Sequence, residues 1–130
     1  MTFSFTPIGT VHHFSKEIPK HWTESDLEGE LELMPRYQEG LSDIRPGQQI
    51  AVLFCFHKSP EFRDEHLKQK WRGSGAITGV FSLCSPIRPN PIGHSVLTAL
   101  SVEGCRIRVK GLDMLDGTPL LDIKPHITSG

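Results

Sequence analysis

Apolar and polar residues alternate along much of this chain, and a two-residue period predicts β-strands rather than helices. The clearest case is segment 28–33, where glutamates alternate with glycine and leucine. Segment 50–56 is apolar on both faces and too short for a buried helix, so it is predicted to be a central strand. The predicted strands are residues 5–14, 28–33, 50–56, 78–81, 95–102, 105–111 and 118–123.

Helix signals are concentrated after the central strand. Ser59, Pro60 and Glu61 supply a cap, a proline at the first helical position and an acid near the positive end of the helix dipole. We expect this helix to run to about Lys70, and a short helical turn over 35–41. Six or seven short strands with one short helix predict a mainly β fold, a small closed or nearly closed β-barrel, as one domain of residues 1–130.

Composition fits a soluble globular protein, with 37% hydrophobic and 22% charged residues. The longest apolar run has seven residues, which is too short to span a membrane, and the N-terminus has no signal-peptide pattern. The three cysteines, Cys55, Cys84 and Cys105, are odd in number and widely spaced, which predicts reduced thiols and a cytoplasmic location.

Charge is distributed unevenly along the chain. Residues 58–110 hold nine Lys/Arg against four Asp/Glu, whereas residues 1–57 hold four against eight. A basic middle can face a phosphate backbone, or it can be an ordinary solvated surface, and both interpretations stay open at this point.

A proline-rich loop separates two of the apolar stretches. Pro86, Pro89 and Pro91 each fix φ and remove a backbone donor, so this segment is a stiff loop that presents Arg88 and Asn90 in a nearly fixed direction. A rigid polar loop between apolar runs is more often a functional site than a linker, so we predict substrate contacts at Arg88 and Asn90.

A second polar segment holds Asp113, Asp116 and Asp122. Asp116 fits the Asp-Gly turn that it begins. Asp122 lies in an apolar strand and needs a cationic partner such as Arg88 or Lys124, so it is either a structural ion pair or a functional group.

Other common functional motifs are absent from the sequence. There is no glycine-rich dinucleotide or phosphate loop, no Gly-x-Ser-x-Gly elbow and no His-Glu-x-x-His, and the cysteines lack the paired spacing of zinc sites. No metal site is therefore predicted, although a metal-dependent hydrolase using His57, His66 and His94 is a remote alternative.

Two long motifs resemble the signature of the TsaA-like (TrmO) family: SPIRPNPIG at residues 85–93 and GLDMLDGTPLLDIKP at residues 111–125. The opening PIGTV at residues 7–11 also fits, so the resemblance spans nearly the whole chain. It implies a β-barrel, usually dimeric, that binds S-adenosylmethionine. It also implies methyl transfer to N6 of threonylcarbamoyl-adenosine beside the tRNA anticodon.

The resemblance further implies which side chains contact the cofactor. These are His21, Trp22, Thr23, His57, Pro60, Glu61, Cys84, His94, Lys110, Gly111, Leu112 and Asp113. Lys124 is predicted to join Arg88 and Asn90 in binding substrate. Because a proton must leave the acceptor nitrogen, we nominate Asp122 or His126 as the catalytic base.

This chain departs from the family pattern at three positions: Cys84 replaces an arginine, His94 an aliphatic residue and His126 a tyrosine. We also expect it to lack the second, C-terminal domain of longer members. Two alternatives therefore stay open: a methyltransferase for a small molecule or another RNA, and a non-catalytic module that binds S-adenosylmethionine.

Overall fold

The computed structural model describes residues 1–128 and confirms a mainly β fold built on a closed barrel. Six strands close the barrel in the order β1-β2-β7-β6-β3-β8, and every neighbouring pair is antiparallel. Strands β4 and β5 form a separate hairpin. The strands are β1 (Gly9–His12), β2 (Glu28–Leu33), β3 (Gln49–Cys55), β4 (Lys68–Lys70), β5 (Ile77–Gly79), β6 (Ile92–Glu103), β7 (Arg106–Lys110) and β8 (Pro119–Pro125). Short 3-10 helices occupy Trp22–Glu24, Pro35–Leu41, Asp64–Leu67 and Val80–Ser82.

The helix expected from Ser59 to about Lys70 is much shorter in the structure. Only Asp64–Leu67 is helical, and the chain then becomes extended at Lys68 to pair with Gly79. The cap signals at Ser59 do not suffice, because a short helix in water depends on packing an apolar face. Leu67 and Trp71, which would lie on that face, are exposed.

The barrel interior is filled by alternate residues of each strand. On β3 and β6 the inward side chains include Ile50, Val52 and Leu97, all fully buried. The outer faces of β2 and β7 carry opposite charges, and Arg106 bonds both Glu30 and Glu32. Because these ion pairs are exposed, we attribute the stability of the barrel to its interior instead.

The connections at one end of the barrel contain both motifs that the sequence singled out. We call this the upper end; it holds the connections 13–27, 56–91 and 111–118. Connection 56–91 includes the proline loop, and 111–118 includes Asp113. The lower end holds connection 34–48, the β6–β7 turn and residues 126–128. Antiparallel pairing thus brings the two motifs together at the upper end.

Gly9 lies where β1 and β2 approach closely. A Cβ at this position would collide with the backbone carbonyl of Glu32, and backbone atoms cannot move aside cheaply. We expect Gly9→Ala to destabilise the barrel by about 1–3 kcal/mol in urea denaturation. Gly40→Ala is the matched control, because nothing lies within 4 Å of the added carbon. Equal midpoints for the two variants would contradict this account.

Candidate functional site

A cluster of polar and aromatic side chains at the upper end surrounds Asp113. We call the set His21, Trp22, Cys84, Ser95 and Asp113 the Asp113 cluster. The Ser95 hydroxyl donates to Asp113 Oδ1 at 2.5 Å, and the Nε2 of His21 lies 4.0 Å from the Cys84 sulfur. The His21 and Trp22 rings lie side by side, with centroids 5.2 Å apart. The cluster therefore joins parts of the chain that are far apart in sequence.

The backbone around Asp113 is held by hydrogen bonds from both sides. Gly111, at φ 107°, turns the chain away from β7, and its N–H and that of Leu112 both donate to the carbonyl of Leu27. The Ser25 hydroxyl donates to the Leu112 carbonyl at 2.5 Å. The fully buried Leu112 side chain packs into the barrel core. The backbone from which the Asp113 side chain extends is therefore held in place.

Burial raises the pKa of Asp113 above its ordinary value. The hydrogen bond from Ser95, a backbone hydrogen bond at Trp22 and the charge of His21 act in the opposite direction. Within residues 1–128, Asp113 forms no ion pair. A partly desolvated carboxylate without a cationic partner is typical of a binding site.

The hydrogen bonds around His21 define its tautomer. The backbone N–H of Thr23 donates to Nδ1 of His21, and the same nitrogen lies 2.8 Å from the Thr23 hydroxyl oxygen. In the neutral imidazole Nδ1 is therefore the acceptor, and Nε2 carries the proton toward Cys84. The imidazole thus contributes a donor to the cluster.

Strand β6 has a free edge beside this cluster. Strand β7 pairs only with its second half, from Thr98 onward, so among the described strands residues 92–97 are paired by β3 alone. The Trp22–Glu24 turn packs against β6. A half-paired strand beside a carboxylate and an indole offers backbone donors and acceptors to a ligand.

The structure brings together a large part of the predicted cofactor-binding set. His21, Trp22, Cys84 and Asp113 form the cluster itself, and Thr23, Gly111 and Leu112 support it. Lys110 lies just before it, at the exposed end of β7, 3.5 Å from Asp26.

The remaining upper-end residues form the rim of the site. His57, Pro60 and Glu61 are exposed on the segment that follows β3, and the Ser59 hydroxyl joins this segment to the carbonyl of Pro86 in the proline loop. These three stay predictions as cofactor contacts.

The proline loop is braced by its own arginine. Arg88 Nη1 donates to the carbonyls of Leu83 and Ser85, at 2.9 and 3.0 Å, which leaves Asn90 as the exposed member of the predicted pair. Both residues stay predictions as substrate contacts.

His94 and the predicted base Asp122 lie outside the cluster, on the outer face of the barrel. Both are aligned with Leu53 on β3, one from each neighbouring strand. Of the two partners considered for Asp122, Lys124 is the one observed, at 3.1 Å. Asp122 and Lys124 also line a cleft of about 510 Å³ toward the lower end.

His126 lies at the lower end, where its N–H bonds the Gln49 carbonyl at the start of β3. Ser95 of the cluster lies on β6 and is paired with Val52, which is three residues after Gln49 on β3. His126 and Ser95 are thus separated by about three residues along the strands and two strands across the sheet. At ~3.3 Å per residue and ~4.8 Å per strand, each of these separations is roughly 10 Å. Strand β8 runs from the upper end to the lower end, so its last residues lie far from the site. The role of Asp122 or His126 as the catalytic base stays a prediction.

Two residues of the site were not predicted from the sequence. Ser95 and Ser25 are buried and hold Asp113 and Leu112, respectively. Ser95 did carry a signal, since it begins the predicted strand 95–102 and shares the inward face of that strand with Leu97. A lone hydroxyl in an inward apolar row needs a partner.

Metal and membrane interpretations gain no support from the described residues. Across residues 1–128, no three His, Cys, Asp or Glu side chains are arranged to hold a metal ion, including His57, His66 and His94. No helix in that range is long and apolar enough to cross a membrane.

Comparison with known proteins gives a consistent set of relatives. Residues 8–129 match the family described as the tRNA-methyltransferase O N-terminal domain. An S-adenosyl-L-methionine-binding protein of Archaeoglobus fulgidus is 38% identical over 92% of this chain and 86% of its own length. The tRNA (adenine(37)-N6)-methyltransferase of Mus musculus is 42% identical over 69% of this chain and 21% of its own length.

Solved structures agree with the sequence comparison. The crystal structure of TrmO from Pseudomonas aeruginosa superposes with a TM-score of 0.77 at 32% identity, covering 98% of this chain and 57% of that one. The present chain thus spans about half the length of that protein, and a smaller share of the mammalian relative.

Proposed function

The chain belongs to the tRNA-methyltransferase O N-terminal domain family, and from this premise we propose that it is an S-adenosylmethionine-dependent N-methyltransferase acting on tRNA. The proposed acceptor is N6 of an adenine, in its finer form N6 of threonylcarbamoyl-adenosine beside the anticodon. The observation that carries the proposal is the partly buried Asp113 carboxyl, which has no ion pair among residues 1–128 and lies beside the backbone of Trp22 and a free strand edge.

The Asp113 cluster has the chemistry that this cofactor needs. When bound, S-adenosylmethionine supplies a methyl group on a positively charged sulfonium. Asp113 offers a negative charge in a partly desolvated place, where its attraction for a cation is stronger than in water. The Trp22 ring adds an aromatic surface, and the free edge of β6 adds backbone hydrogen-bonding groups.

We propose that the protein accelerates the reaction chiefly by positioning. The N6 lone pair is delocalised into the purine ring, so the acceptor reacts only when it is held in line with the methyl carbon. The proline loop, braced by Arg88, is a rigid wall for that purpose. A methylated, positively charged nitrogen is strongly acidic, and water can take its proton. This fits the position of Asp122 and His126 outside the cluster.

We propose that the protein is a cytoplasmic homodimer in which the barrel is a single domain. Leu53 and Cys55, which are half-buried on the outer face of β3, suit contact with a second copy. The three cysteines are unpaired thiols, which suits a reducing compartment.

The name of the Archaeoglobus relative favours a second candidate function, a module that binds S-adenosylmethionine without transferring its methyl group. The two candidates predict different results with the same reagents. We expect incubation with methyl-labelled S-adenosylmethionine to label tRNA that carries threonylcarbamoyl-adenosine and to leave tRNA without that modification unlabelled. Calorimetric binding of the cofactor without transfer to any tRNA would instead support the binding module or a methyltransferase for a small molecule, and absence of both binding and transfer would refute the assignment.

A further inference from the structure

The β4–β5 hairpin stands at the upper end of the barrel and is rich in cations. Residues 66–102 contain four Lys/Arg and no Asp/Glu. Three of the four, Lys68, Lys70 and Arg72, lie on the hairpin or directly after β4, and all three are exposed. Most of the positive charge of residues 66–102 is therefore concentrated on one element.

The hairpin is fixed to the proline loop. Gln69 Nε2 donates to the carbonyls of His66 and Ile87, at 2.7 and 2.9 Å. Because side chains alternate along a strand, Gln69 faces the loop while Lys68 and Lys70 face away from it. The cations are thus held on a braced support at the same end as Asp113.

Trp71 is held in a defined orientation at the tip of the hairpin. Its backbone N–H donates to the Ala76 carbonyl, and its carbonyl accepts the N–H of Gly75, so the turn is closed by two hydrogen bonds. Its ring packs on the backbone of Gly73, where an added Cβ would lie 2.6 Å from Cζ2 of the indole. The residue is nevertheless 50% exposed. An indole fixed on glycine and open to solvent is suited to stacking with a planar group.

The tip of the hairpin also reaches toward the Asp113 cluster. Arg72 Nη2 donates to the carbonyl of Lys20 at 3.4 Å, and Lys20 directly precedes His21. The tip of the hairpin is therefore joined to the segment that carries His21.

Charge distinguishes between the possible occupants of this surface. Lysine is depleted in the cores of protein–protein interfaces, and a second copy of the hairpin would bring like charges together. A polyanion with planar groups satisfies both the cations and the indole.

We propose that the β4–β5 hairpin binds single-stranded RNA, with one base stacked on Trp71 and backbone phosphates neutralised by Lys68, Lys70 and Arg72. The proposal rests on the proposed function, which gives RNA as the substrate. What it adds is the element of the fold that binds the RNA next to the base that is methylated.

The test measures the binding of an unmodified anticodon stem-loop RNA by fluorescence anisotropy across a salt series. We expect Trp71→Ala to weaken binding by about 5- to 150-fold, and Trp71→Phe to restore part of this affinity. Lys68→Gln with Lys70→Gln should reduce the salt slope by about 1.4, because each phosphate that a lysine no longer neutralises lowers the slope by about 0.7. Arg45→Gln, an exposed cation at the lower end, is the control and should change neither quantity.

Tryptophan fluorescence gives a second, independent measurement. The chain has two tryptophans, so in Trp22→Phe the remaining emission comes from Trp71. Stacking predicts that RNA quenches this emission.

The proposal is overturned if the wild-type chain does not bind the RNA, if Trp71→Ala binds as tightly as wild type, or if Trp71 is not quenched. Methyl transfer to modified tRNA, measured on the same preparations, reports separately on the proposed function. Transfer with unaltered binding by the hairpin variants would reject the hairpin and keep the methyltransferase.

Discussion

Asp113→Asn is expected to weaken S-adenosylmethionine binding by roughly 100-fold while leaving the protein at least as stable at neutral pH. Removing one member of a buried, hydrogen-bonded charge contact costs about 3 kcal/mol, and each 1.4 kcal/mol is a factor of ten in affinity. Asparagine keeps the size of the side chain and can still accept from Ser95, so the weaker binding would come from the missing charge.

The stability part of this prediction follows from the direction of the pKa shift. Burial raises the pKa of Asp113, so the folded protein holds this proton at pH values where the unfolded chain has released it. The contribution of Asp113 to the free energy of unfolding is therefore greatest below the ordinary aspartate value of 3.8 and falls as pH rises through the raised value. Asp113→Asn removes that decrease, whereas cofactor binding by the wild type should weaken as Asp113 becomes protonated in acid.

Calorimetry with S-adenosylmethionine and thermal unfolding over a pH series would measure both quantities. Asp116→Asn is the matched control: its carboxylate accepts the backbone N–H of His13 at 3.0 Å, whereas Asp113 accepts the Ser95 hydroxyl. The control should lose some stability and retain cofactor binding. If Asp113→Asn unfolds more easily yet binds the cofactor normally, Asp113 is a structural residue.

The local pattern of the sequence predicted the barrel strands well where one face is apolar and the other charged. Strand β2 begins and ends at the predicted residues, because glutamate and leucine alternate through it. The pattern failed where tertiary pairing overrides local signals: β5 stops at Gly79 and Val80 begins a 3-10 helix, although a strand was predicted through Phe81. The residue at which a strand ends depends on contacts with distant segments.

The same distinction applies to the candidate site. Family motifs predicted Asp113 and the His21–Thr23 segment, and the upper end brings them together. Ser95 was missed because its partner is 18 residues away in sequence and meets it only after β6 and β7 have paired. His126 was nominated from its place beside the aspartate-rich motif, yet strand direction takes it to the lower end. Sequence proximity identified the segments, and strand direction determines which side chains meet.

Of the proposed substitutions, Leu112→Ala should have the largest effect on stability, because this side chain is 0% exposed and packs into the core at the upper end. A buried leucine reduced to alanine costs about 2–5 kcal/mol, through reduced burial and the cavity left behind. Leu115→Ala is the control from the same segment; at 44% exposure it should lose far less. Urea denaturation of both variants, beside Leu112→Met, gives the comparison.

Cofactor binding by Leu112→Ala separates support of the fold from positioning of the carboxyl. Leu112 is the residue before Asp113, and the Ser25 hydroxyl fixes its carbonyl. If Leu112 positions the carboxyl, affinity measured well below the unfolding temperature should fall, and Leu112→Met, which conserves volume, should recover it. If the folded fraction of Leu112→Ala binds as tightly as wild type, then hydrogen bonds from Ser25 and Ser95 alone fix Asp113, and the packing of the upper end serves stability only.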